Sequence, residues 1–121
     1  MTKPIRFYVR PVYHGSELLV EIADDHRVDG FPDLAGILRH ELGARREPHP
    51  EGMDRPVIAL LHQRFFSYWT YAGGAYEIDD DTWGLFVTAT QNHAAVIADI
   101  ERALLRTGQF VKEEVDFARY R

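Results

Sequence analysis

Apolar and polar residues alternate with period two over residues 5–22, around a turn at His14-Gly15. Ile5, Phe7, Val9, Leu18, Val20 and Ile22 share one face, which reads as core. Arg6, Tyr8, Arg10, Glu17, Leu19 and Glu21 share the other, and in this register Tyr8 lies across from Glu21, with Arg10 diagonal to both glutamates. Pro11 puts the first strand at a sheet edge or beside a bulge. Residues 23–30 form a polar connection. Leu34, Ile37, Leu38 and Leu42 then recur at helical spacing, with Pro32 suited to the first turn and Gly43 to the stop.

A second hairpin is predicted around Gly73-Gly74. With both glycines in the turn, Ala72 faces Ala75, Tyr71 faces Tyr76, Thr70 faces Glu77 and Trp69 faces Ile78. Trp69, Tyr71, Tyr76 and Ile78 then form an aromatic side, while Thr70, Ala72, Ala75 and Glu77 form a small or polar one. Residues 79–81, all aspartate, read as an acidic turn closing this ribbon.

Residues 44–56 combine three prolines, one glycine and six formal charges, which predicts an exposed loop. In residues 57–66 the spacing of Val57, Leu60, Leu61 and Phe65 fits a helix, whereas the run 57–61 alone fits a buried strand. A strand bulged near Gln63 leads more directly into the hairpin. Residues 83–90 are rich in aromatic and β-branched residues and read as a strand. The last helix is capped by Asn92, buries Val96, Ile97, Ile100, Ala103 and Leu104, pairs Asp99 with Arg102, and ends at Gly108. A final strand is expected over residues 110–117, with Val111, Val115 and Phe117 on one side and Lys112, Glu114 and Asp116 on the other. The order of elements predicts an α+β fold: one domain over residues 1–121, a mostly antiparallel sheet, and two helices packed on it.

At 121 residues, the chain is the size of one ordinary domain, burying roughly two-thirds of the surface exposed when unfolded. Its cysteine count of zero removes disulfide frameworks, thiolate metal sites and cysteine nucleophiles. A formal net charge of −5 disfavours phosphate backbones and anionic lipid and favours a cationic partner. Arg6, Tyr8 and Arg10 could display cations and an aromatic ring to nucleic acid, but Glu17 and Glu21 oppose them across the hairpin. The arginines among the first apolar residues argue against a secretory signal, and no run approaches the roughly 18 apolar residues of a membrane span. A soluble cytoplasmic protein is expected.

Two acidic clusters are candidates for chemistry. Glu77, Asp79, Asp80 and Asp81 could supply oxygen ligands, but a calcium loop starting at Glu77 would put Thr82 where glycine is needed and Thr88 where a bidentate glutamate is needed. Asp24, Asp25 and His26, with Asp29 nearby, could hold a metal or act as acid and base. The two clusters would make one site only if the fold joined them. His40-Glu41 opens like a zinc protease motif, but the position of the second histidine is Ala44. His62 reads as a partly buried core histidine. Ser16 and Ser67 lack the glycine setting of a nucleophile elbow, and the Gly73-Gly74 pair lacks the lysine of a phosphate loop. No cofactor is expected.

Aromatic residues concentrate between Phe65 and Phe86, and tyrosine and tryptophan are enriched at recognition hot spots. Trp69 and Phe86 read as core, and Tyr68, Tyr71 and Tyr76 as near-surface residues whose hydroxyls need water or a partner. The leading expectation is a non-catalytic protein-interaction or regulatory module. It would present Tyr71, Tyr76, Glu77, Asp79, Asp80 and Asp81 to a basic protein or to a second copy of itself. The alternatives are a metal-assisted hydrolase built on Asp24, Asp25, His26 and the 79–81 run, and a small-molecule binder with a pocket between the sheet and the helices.

Overall fold

The computed structural model describes residues 4–12, 15–48, 66–81, 84–89 and 91–120. Its elements are β1 (Ile5–Pro11), β2 (Leu18–Ile22), α1 (Leu34–Leu42), β3 (Arg45–Glu47), β4 (Phe66–Tyr71), β5 (Gly74–Asp81), β6 (Gly84–Thr88), α2 (His93–Arg106), β7 (Phe110–Lys112) and a 3-10 turn, Phe117–Tyr120. The strands form one seven-stranded sheet in the order β3-β4-β5-β6-β2-β1-β7. The β7–β1 pair is parallel and the remaining pairs are antiparallel. The α+β class is therefore as the sequence predicts: among the described residues, a mostly antiparallel sheet with two helices packed on it.

The β1–β2 hairpin follows its alternation. Phe7, Val9, Val20 and Ile22 join the core, and Tyr8 stands opposite Glu21, as expected. Pro11 is tolerated because β7 pairs only with Ile5, Arg6 and Phe7, leaving the far end of β1 as an edge. Helix α1 stops at Gly43, whose φ of 68° is left-handed backbone that glycine adopts without steric cost.

Helix α2 buries Val96, Ile97, Ile100, Ala103 and Leu104, the full predicted stripe. Burying each large side chain in that stripe contributes about 1.5–3 kcal/mol. The Asp99–Arg102 pair on the solvent side adds less, because water screens an exposed ion pair to below about 1 kcal/mol. Asn92 occupies the N-cap position in left-handed backbone at φ 54°, but its side chain makes no capping hydrogen bond. Instead, His93 ties the helix start to the sheet, accepting at Nδ1 from the Leu18 N–H at 3.1 Å.

Four expectations are corrected. The hairpin turn is Ala72-Gly73, with Tyr71 opposite Gly74, Thr70 opposite Ala75 and Trp69 opposite Tyr76. Because the pairing slips by two residues, the predicted faces survive. A β-carbon on Gly73 would lie 2.9 Å from Asp99 Oδ2, and one on Gly74 would lie 2.9 Å from Val96 Cγ2. The glycines thus let the turn approach α2.

The supposed acidic turn is strand β5 itself, paired on both sides by β4 and β6. Part of the charged loop, Arg45–Glu47, is edge strand β3. The last strand stops at Lys112 instead of reaching Phe117, after which the chain turns into the 3-10 segment. The helix-or-strand alternative over 57–65 and the positions of His14, His49, His62, Phe65, Trp83 and Thr90 lie outside the described residues.

Candidate functional site

Both helices pack on one face of the sheet, where Phe7, Val20, Leu38, Val87, Ile100 and Leu104 are fully or almost fully buried. No described helix is long and apolar enough to cross a membrane. Strand alternation sorts the candidate site residues between this helix side and the opposite side, open in that neither of the two described helices lies on it. On β5, Tyr76, Ile78 and Asp80 point to the helix side, while Ala75, Glu77 and Asp79 point away. A run of carboxylates adjacent in sequence is thereby split between two surfaces.

Tyr76 is 3% exposed and stacks on Trp69, with ring centroids 6.4 Å apart and planes 8° from parallel. It is a core residue, not a surface residue as the sequence suggested. Its hydroxyl is buried without a hydrogen-bond partner among the described residues, and burial pushes its pKa up. Tyr71 is also on the helix side, and its hydroxyl donates to Asp99 Oδ2 at 2.6 Å. Burial, then the Asp99 carboxylate, pushes its pKa up as well. Tyr76 is thus buried in the core and Tyr71 is partly buried against it. Asp81 ends β5 opposite Gly84.

The loop cluster diverges. Asp24 accepts from the Arg6 backbone N–H at 2.8 Å and from its guanidinium at 2.7 and 3.1 Å. Those hydrogen bonds, the side-chain ones foremost, hold its pKa below the ordinary 3.8. Asp25 accepts from the backbone N–H of Arg27 at 3.0 Å and from its side chain at 3.2 Å, which also lowers its pKa. Only His26 reaches the second cluster: its Nε2 lies 2.8 Å from Asp80 Oδ1. Among the described residues no three His, Asp or Glu side chains converge as metal ligands.

His26 and Asp80 stand at a cavity of about 290 Å³ between β3–β6 and the start of α1. Phe31, Leu34, Trp69, Ile78 and Leu85 supply its apolar walls, and Arg46, Ser67 and Asp33 add polar groups. His26 is held edge-on to Phe31 at 6.4 Å, its side chain 9% exposed. Ser67 Oγ accepts from Trp69 Nε1 at 2.8 Å, fixing both side chains.

The open side differs in character. Around β1 and β2, Arg10 is 9% exposed, donates to Glu21 Oε1 at 2.6 Å, and lies beneath the Tyr120 ring at 4.9 Å. Tyr8, also bonded to Glu21, has its pKa pushed up to about 12 by burial and then by that carboxylate. Across β3–β6, half-buried Phe66, Tyr68 and Phe86 alternate with Glu47, Glu77 and Asp79. Tyr68 is hydrogen-bonded to Glu77 opposite it, and Thr70 Oγ1 donates to Glu47 Oε1 at 2.6 Å. Burial, then Glu77, raises the Tyr68 pKa.

Sequence reasoning named Glu77 and Asp79 and read Tyr68 as near the surface, but it missed Glu47 and Phe66 and read Phe86, which is half-buried on this side, as core. The signal was present: continuing the polar side of the hairpin back from Thr70 by steps of two reaches Tyr68 and Phe66. Geometry thus defines an α+β domain with an aromatic, carboxylate-bearing sheet face and a separate small cavity. No family model, curated protein or solved structure matches the chain.

Proposed function

We propose that the protein is a non-catalytic binding module whose partner is a protein with a basic surface, received on the open side of β3–β6. The observation that carries this reading is the grouping of Phe66, Tyr68 and Phe86 with Glu47, Glu77 and Asp79 on a face that carries neither described helix. Aromatic rings supply contact area at low entropic cost, and the carboxylates favour a cationic counterpart. Cross-strand bonds from Tyr68 to Glu77 and from Thr70 to Glu47 restrict these side chains before a partner arrives. The net charge of −5 acts in the same direction by steering basic proteins towards the chain. A second copy fits less well, since a symmetric dimer through this face sets its carboxylates against themselves.

Affinity capture from an extract of the protein's own cells tests the proposal, followed by titration of the purified partner against variants. A basic protein bound by the wild type, at least about tenfold weaker against Tyr68→Ala/Glu77→Lys and unchanged against Asp25→Ala, is the expected result. Absence of a saturable basic partner, or binding indifferent to the Tyr68→Ala/Glu77→Lys change, refutes it.

A further inference from the structure

We infer that the cavity beside His26 and Asp80 is a binding site for a small aromatic carboxylate that also carries a hydrogen-bond donor. Its volume of about 290 Å³ lies at the lower end for ligand pockets, which sets the occupant near the size of one substituted ring. Trp69 and Phe31 offer ring faces and edges, and Leu34, Ile78 and Leu85 complete an apolar lining.

The polar groups specify the rest of the ligand. Arg46 stands opposite Trp69 in the sheet register and lines the cavity. Its neighbour Arg45 pairs with Glu47 at 3.6 Å, whereas Arg46 forms no ion pair with any described residue. A planar guanidinium above a partly apolar cavity suits a carboxylate, with which it makes two parallel hydrogen bonds. Ser67 strengthens that preference: its oxygen is occupied by the Trp69 N–H, so its own hydroxyl proton is left to donate. Asp33 and Asp80 line the cavity as well, and their charge opposes a doubly charged phosphate more strongly than a singly charged carboxylate.

His26 defines the third feature. Its Nε2 lies 2.8 Å from Asp80 Oδ1 and both residues line the cavity, so the pair offers a hydrogen-bond partner to a ligand hydroxyl or amine. A ring bearing a carboxylate and a hydroxyl meets all three requirements. This site lies on the helix side of the sheet, separate from the face proposed for a protein partner.

Para-hydroxybenzoate is the probe, titrated into isotopically labelled protein while the Trp69 indole N–H resonance is followed and assigned through Trp69→Phe. The expected result is a saturable shift that weakens about tenfold or more in Arg46→Ala, and comparably when neutral para-hydroxybenzamide replaces the carboxylate. Tyr68→Ala/Glu77→Lys leaves this titration unchanged, which separates the cavity from the open face. An unsaturable response to para-hydroxybenzoate, or equal affinity for the neutral amide or for Arg46→Ala, overturns the inference.

Discussion

The Trp69 and Tyr76 rings lie nearly parallel and offset across β4 and β5, their centroids 6.4 Å apart and planes 8° from parallel, with the Tyr76 hydroxyl buried and, among the described residues, unpartnered. A buried hydroxyl without a hydrogen bond destabilises the fold. Tyr76→Phe keeps the ring stack and removes that group, so it is expected to raise unfolding stability by about 1 kcal/mol. Neighbouring Tyr71 provides the opposite case, because its hydroxyl donates to Asp99. Tyr71→Phe is expected to lower stability by about 1 kcal/mol, leaving two tyrosines in one hairpin with opposite signs. Denaturant midpoints of the two variants at constant slope check both values.

At acid pH the Arg6–Asp24 pair is the sensor to follow. The Asp24 carboxyl titrates below its ordinary 3.8 in the folded chain, so its contribution is fully present above that value and is lost as pH falls through the lower folded one. The stability difference between wild type and Asp24→Asn should therefore be flat above about pH 5 and close below about pH 4. Urea denaturation of both proteins along a pH series measures it.

At alkaline pH, Tyr8 reports on the buried end of the open face. Its folded pKa of about 12 exceeds the ordinary 10.0, so the associated stability is present below pH 10.0 and is lost as pH rises towards 12. The phenolate absorbance of wild type minus that of Tyr8→Phe should rise with a midpoint near 12. A midpoint at the ordinary value would show that neither burial nor Glu21 acts on this hydroxyl.

Much of the framework was legible because period and propensity agreed with tertiary demand. The β1–β2 faces and the Val96-to-Leu104 stripe followed from spacing alone. The β4–β5 faces were legible too, but their register was not, because either placement of the turn around the Gly73-Gly74 pair keeps the same faces. Propensity misread Asp79, Asp80 and Asp81: aspartate disfavours strands, yet pairing with both β4 and β6 holds this segment extended. Strand β3 is three residues long and was read as loop, and β7 was read too long; each short strand is held by the ladder of its neighbour.

The same distinction applies to the candidate sites. Alternation contained the open face, since Phe66, Tyr68, Glu77 and Asp79 follow from period two once the strand is extended in both directions. The cavity was beyond the sequence, because His26, Arg46, Ser67 and Asp80 come from separate segments that only the folded chain brings together.

Ring resonances report directly on which side of the sheet a protein partner sits. With backbone amides and the tyrosine and phenylalanine side chains labelled, addition of the purified basic partner should shift Tyr68, Phe66 and Phe86 while the Tyr71 ring, hydrogen-bonded to Asp99 of α2, stays in place. Shifts confined to the outer surface of α2, around Arg102 and Leu105, with Tyr68 and Phe86 unmoved, would contradict the account.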